Sequence, residues 1–159
     1  MELDRFDRQL LNLLQQDAAQ TAEQMAETVP LSPSAIQRRI RRLRELGVIQ
    51  REVAIVEPNH VGRYTTFVVS VRVERERPEL LAQFRKWLVE QEHVQQVFYV
   101  TGDADFILVV TAPDTDTYDA LMSRMIVDNP NVGRFTTAVS LSVVKRGLYI
   151  PVPLDPPTD

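Results

Sequence analysis

The 159-residue chain has no cysteine, which excludes a disulfide scaffold and any thiolate metal site and suits a protein of the reducing cytoplasm. Its five glycines form no phosphate-cradling loop. The two histidines, His60 and His93, stand far apart in turn-rich stretches. With no nucleophile–base pair and no cluster of metal-ligating side chains, the sequence points away from an enzyme, a metal centre or a cofactor. Long apolar runs are also missing: Phe106-Ile-Leu-Val-Val110 is far shorter than the roughly 18 to 20 residues that cross a bilayer. The acidic opening, Met1-Glu-Leu-Asp-Arg-Phe-Asp7, is no secretory signal. The expectation is a cytoplasmic protein without a membrane partner.

What is present is a globular composition, 44% hydrophobic and 25% charged, long enough for two small domains. The net charge is −4, yet the fifteen residues Ser32–Leu46 carry five arginines and a single acid. A basic segment in an acidic protein calls for a polyanion, and double-stranded DNA is the usual one.

The segment sits in a recognisable frame. Asp4 precedes the apolar rhythm Phe6, Leu10, Leu13, Leu14, with Asp7 three residues on, which predicts a capped helix over about residues 4–16. Thr21-Ala-Glu-Gln24 repeats the capping signal and opens a short second helix, broken at Val29-Pro30-Leu31. Ser32 caps the third helix, with Pro33 in its first turn and Gly47 just past its end. At 100° per residue, Ile36, Ile40, Leu43 and Leu46 share one sector, opposite Ser34, Gln37, Arg38 and Arg41. The polar set is placed to read base edges in the major groove, and Ser32, Arg42 and Arg44 to touch phosphates. Arg39 lies beside the apolar sector and is expected to pair with an acid of the first helix, Asp7. Val48–Val56, rich in β-branched residues, is expected to supply the one or two strands of a wing.

Beyond a turn-rich linker the pattern changes. Thr65–Val73 alternates as a half-buried strand, and Pro78 opens a helix with Leu81, Phe84, Trp87 and Leu88 on one stripe. Val94–Thr101 and Phe106–Ala112 are strands, Asp114 caps a helix bearing Tyr118, Leu121, Met122, Met125 and Ile126, and Arg134–Val144 is a closing strand. The order βαββαβ predicts a ferredoxin-like, ACT-like sheet with both helices on one face. The α+β chain therefore divides into a winged helix-turn-helix domain (1–57), a linker (58–64), a ferredoxin-like domain (65–152) and a proline-rich tail (153–159) with a mobile end.

Thr101-Gly-Asp-Ala-Asp105 joins two of these strands. On chemistry alone it is a turn whose aspartates bond backbone, or a ligand site. The turn is the simpler account, since two aspartates are too few for calcium or magnesium.

Leu3-Asp4-x-x-Asp7, Leu31-Ser-Pro-Ser-Ala35, Arg38-Arg-Ile-x-x-Leu43, Gly47-Val-Ile49 and Thr101-Gly-Asp-x-Asp105, in this order, resemble the Lrp/AsnC, or feast/famine, transcription regulators. The resemblance spans about residues 2–152 and implies a DNA-binding regulator tuned by a small amino-acid effector. It further implies a homodimer whose copies assemble into rings of eight, with the effector held at the junction between dimers. It assigns effector contacts to Gly102, Asp103 and Asp105, together with Thr115, Ala138, Val139 and Ser140, to which the hydroxyl of Thr137 adds a polar group. Two departures stand out. Pro30 occupies a turn position where the family has glycine, and Ala138 stands where several relatives carry a bulkier residue. An alternative is a stand-alone amino-acid sensor whose basic helix contacts a protein.

Overall fold

The computed structural model describes residues 2–155, and the last four residues of the expected tail lie outside the described residues. The chain forms two units. One runs to Ile55 and resumes at Arg146; the other is Val56–Lys145.

The first unit is built on three helices, α1 (Arg5–Gln16), α2 (Ala22–Ala26) and α3 (Pro33–Glu45). Both capping boxes are present: Asp4 accepts from the Asp7 N–H at 2.9 Å and Thr21 from the Gln24 N–H at 3.2 Å, each side chain being answered in return. Ser32 caps α3. That helix ends in a complete Schellman motif, Val48 N–H to Leu43 C=O at 2.9 Å and Gly47 N–H to Arg44 C=O at 3.0 Å, with Gly47 at φ +71°. Leu10, Met25, Val29, Ile36 and Ile40 form the core, with Phe6, Leu13 and Leu14 packed against it. Leu46, expected in the apolar sector, is half exposed because it is the C-cap, where the helix has already ended. The turn before α3 uses no left-handed residue: Pro30 is accommodated, and the Leu31 N–H bonds the Val29 carbonyl across it at 2.7 Å.

Two expectations fail in this unit. No strand forms over 48–56, and Val53, Ile55 and Val56 are exposed. β-Branched content favours extended backbone, but a strand needs a partner, and no described segment offers one. Residues 146–152, assigned above to the second domain, belong to the first unit. The extended segment Ile150–Pro153 is bonded to Arg8, Asn12 and Gln15 of α1.

The second unit contains α4 (Pro58–Val61), β1 (Thr65–Val73), α5 (Pro78–Val89), β2 (Val94–Tyr99), β3 (Phe106–Ala112), α6 (Thr115–Asp128) and β4 (Val132–Val139). Thus the expected linker contains a helical turn, started by Pro58. The four strands form an antiparallel sheet in the order β2-β3-β1-β4, as the βαββαβ order requires for a ferredoxin-like fold. One face of β1 and β3 (Phe67, Val69, Val71, Phe106, Leu108, Val110) packs with Leu81, Phe84 and Leu88 of α5 and Leu121, Met122 and Met125 of α6. β4 stops at Val139 rather than Val144: Ser140 still donates to the carbonyl of Thr66 at 2.9 Å, one residue from the start of β1. Leu141 and Val144 are left in solvent.

Candidate nucleic-acid interface and effector site

The outward side of α3 is arranged by what its inward side holds. Arg39 donates to Asp4 at 2.7 Å and to Asp7 at 2.9 Å, and its guanidinium lies 5.7 Å from the centre of the Phe6 ring. The Asp4 hydrogen bond, opposed by partial burial and reinforced by Asp7, raises the arginine's affinity for its proton. Partial burial works against ionisation of Asp4, but the Asp7 N–H and Arg39 outweigh it and hold its pKa below the usual value. Asp7 is 1% exposed and also lies 3.5 Å from Arg42. This acid pair locks the position of α3 against α1.

Facing away from it, Ser34, Gln37, Arg38 and Arg41 are all solvent-exposed, and no described acid lies within ion-pair reach of Arg38 or Arg41. Gln37, Arg41 and Arg44 also line a shallow cleft of ≈ 290 Å³ against Gln20, Ala22 and Met25. The Ser32 hydroxyl is occupied in capping and lies 3.1 Å from that of Ser34. Arg44 is bonded to Glu52 at 2.6 Å, so of the three residues expected on phosphates, two already face an acid of their own unit. Glu52 was not foreseen: its pairing depends on how the chain turns at Gly47.

In the second unit, the Thr101–Asp105 turn is held by its own chemistry. Asp105 accepts from the Val73 N–H through Oδ2 at 2.7 Å, and its own N–H donates to Val71. Arg72, which sequence reasoning passed over, donates twice to the Asp103 carbonyl, at 3.1 and 2.7 Å. Gly102 takes φ +118°, a backbone conformation closed to most side chains. The turn reading is thus realised, with the side chain of Asp103 pointing to no described partner.

Thr115, Thr137, Ala138, Val139 and Ser140 gather elsewhere. Thr115 opens α6, and Tyr118, one turn further on, is bonded to the hydroxyl of Thr137 at 2.5 Å while stacking on Phe67 at 4.0 Å. The sequence sets Tyr118 only among the apolar residues of that helix. Burial raises its pKa, the Thr137 hydrogen bond opposes that, and Asp119 adds to it. Ala138 and Val139 pair with Val68 and Phe67, whereas Asp105 is bonded at Val73. Six residues of β1 separate those levels, about 20 Å at about 3.3 Å per residue. One chain therefore brings the expected effector residues together as two groups, at opposite ends of the sheet.

Two family models match the chain: an AsnC-type helix-turn-helix domain over residues 3–44 and an Lrp/AsnC ligand binding domain over residues 66–150. An HTH-type transcriptional regulator of Sinorhizobium fredii is 44% identical over 152 residues, covering 96% of this chain and 90% of its own length. The leucine-responsive regulatory protein of Escherichia coli is 31% identical over 145 residues, covering 91% and 88%. Among solved structures, an AsnC family transcriptional regulator from Agrobacterium tumefaciens superposes with a TM-score of 0.85 at 33% identity, covering 94% of this chain and 97% of that one. A feast or famine regulatory protein from M. tuberculosis, complexed with L-methionine, gives a TM-score of 0.80 at 26% identity, covering 96% and 100%. The chain belongs to the Lrp/AsnC family of transcription regulators, with a helix-turn-helix unit followed by the family's ligand-binding domain. No described helix is long and apolar enough to cross a membrane.

Proposed function

We propose that the protein binds a specific double-stranded operator through α3 and that a small amino acid, held between copies of the chain, sets its affinity. The observation that carries the DNA reading is the division of the arginines: Arg39 is tied inward to Asp4 and Asp7, while Arg38 and Arg41 stand exposed beside Gln37 and Ser34. Such side chains reach base edges, arginine pairing in bidentate fashion with guanine. Ser32, Arg42 and Arg44 lie at the margins, where phosphates run, and Arg44 exchanges Glu52 for a phosphate on binding.

The sheet supports an assembly of copies. Its helix-free face carries the cross-strand rows Phe98–Ile107–Ser70–Thr136 and Val109–Val68–Ala138, with Phe98 and Val68 exposed. An apolar sheet face of this kind is buried by a second copy. Two-fold pairing presents two α3 helices to half-sites of a pseudo-palindrome, about one helical turn or a multiple apart. The split effector set supports a site shared by copies: Gly102, Asp103 and Asp105 of one chain meet Thr115 and Thr137–Ser140 of another. An amino acid fits both groups, its ammonium at the carboxylates and its carboxylate at exposed N–H and hydroxyl donors. The L-methionine complex of the M. tuberculosis relative and the name of the E. coli one make methionine and leucine the first ligands to try.

The test is an electrophoretic shift on the DNA upstream of the protein's own gene, with and without each amino acid. A retarded, sequence-specific complex whose midpoint moves with one amino acid is expected. An amino acid bound tightly with no retardation of any DNA would point instead to a sensor acting through protein partners.

A further inference from the structure

The segment after Lys145 is joined to α1 by a ladder of amide pairs. Asn12 donates Nδ2 to the Val152 carbonyl at 2.8 Å and accepts the Val152 N–H at 3.1 Å. Gln15 does the same with Ile150, at 2.9 and 2.8 Å. Each side-chain amide thus imitates a neighbouring strand, satisfying both backbone groups of one residue. The spacing fits because Asn12 and Gln15 lie three apart on one helix face, while Ile150 and Val152 lie two apart on one side of an extended chain. Arg8 continues the row to the Pro153 carbonyl at 3.1 Å, and the Tyr149 hydroxyl donates to Asn12 at 3.1 Å. The prolines fall in register with this ladder. Pro151 and Pro153 have no N–H to satisfy, and the paired residues between and before them, Val152 and Ile150, do.

We infer that this clasp carries the effector signal to the DNA-binding helices. The inference rests on the reading that Thr137–Ser140 touch the effector. Five residues separate Ser140 from Arg146, where the chain re-enters the first unit and runs to α1. The first turn of the same helix and its cap present Asp7 and Asp4 to Arg39 and Arg42 of α3. A change at the end of β4 therefore pulls on a segment anchored to the helix that positions α3. The second covalent crossing, at Ile55–Val56, leads out of an unpaired stretch that no described residue anchors by a side-chain hydrogen bond beyond Glu52.

The clasp is opened with Asn12→Ala combined with Gln15→Ala, and separately by ending the chain at Lys145. Each protein is assayed for thermal shift with L-methionine, L-leucine and the other proteinogenic amino acids singly, then for affinity to its upstream DNA with the amino acid that shifts it. Where two sites are coupled the ligand changes affinity by about 5- to 150-fold. The expected result is that the intact chain shows such a change, while both opened forms keep the thermal shift and DNA binding but lose the change, falling toward onefold. Amide exchange over α1 answers the amino acid only in the intact chain. An opened form that responds like the intact one overturns the clasp as the route and leaves the effector reading standing. An intact chain with no thermal shift for any amino acid overturns the effector reading, and the clasp's role with it.

Discussion

The guanidinium of Arg39 donates to the buried carboxylate of Asp7 at 2.9 Å, joining the recognition helix to the first helix at a point almost closed to water. Breaking a buried ion pair by removing one member leaves the other charge uncompensated, at a cost of about 3–5 kcal/mol. Arg39→Met, which leaves the buried Asp7 carboxylate with only Arg42 at 3.5 Å, is accordingly expected to destabilise the DNA-binding unit by about 3 kcal/mol. Arg39→Met combined with Asp7→Leu, which removes both charges, is expected to cost much less. Denaturant unfolding followed by helical circular dichroism measures both. Equal losses for the single and double replacements would remove the pair from the account of stability.

The neighbouring Asp4 gives the same unit an acid limit. Its carboxyl is held below the usual 3.8: burial opposes ionisation, but the Asp7 N–H and Arg39 outweigh it. The folded form therefore binds that proton less readily than the unfolded chain. The resulting stabilisation is present above pH 3.8 and is lost as pH falls through the lowered folded value. Because the side chain is half exposed, solvent screening keeps this contribution small. Asp4→Asn is expected to flatten the stability profile below pH 3.8 while retaining a capping oxygen; an unchanged acid limb in urea titrations would show that other carboxylates set it.

These two contacts also mark how far the sequence reaches. Arg39 was legible because helical periodicity fixes direction, and a long cation beside an apolar sector has few places to go. The caps, the Schellman end and the βαββαβ order were legible for the same reason: each is written in residues close together in the chain. The wing was not, because β-branched content in Val48–Val56 specifies an extended chain but not a partner for it. The end of β4 was set by where β1 begins, a fact of pairing rather than of local composition. The clasp escaped because Asn12 and Gln15 are ordinary polar residues on a helix surface until the chain returns some 135 to 140 residues later. The split of the effector residues was hidden for a related reason: motif matching collects positions without their separations along a strand.

On α3 the structure distinguishes arginines that composition treats alike. Arg41→Ala is expected to weaken binding to the specific operator by about 1–3 kcal/mol if it pairs with guanine, with little effect on non-specific DNA at the same salt concentration. Arg44→Ala removes the proposed phosphate contact and is expected to lower affinity for every sequence alike and to make binding less salt-dependent. Salt titrations on operator and scrambled DNA separate the two. Arg41→Ala weakening both equally would move that residue from the reading set to the phosphate set.

Asp105 carries a structural task as well as the proposed effector contact, and the two are separable by choice of replacement. Its Oδ2 accepts the Val73 N–H at 2.7 Å. Asp105→Ala leaves that donor unpaired, at a cost of about 1–3 kcal/mol if water does not replace the lost oxygen. Asp105→Asn keeps an acceptor of the same shape and discards the charge. The asparagine variant is therefore expected to unfold near the temperature of the parent chain while its amino-acid response weakens, because a neutral amide attracts an ammonium far less than a carboxylate does. The alanine variant is expected to lose stability and response together. Thermal unfolding with an amino-acid titration of DNA binding gives both quantities for each protein. A full response in Asp105→Asn would mean that the carboxylate serves only to hold the end of β1, and that the ammonium is received elsewhere, with Asp103 the next residue to replace.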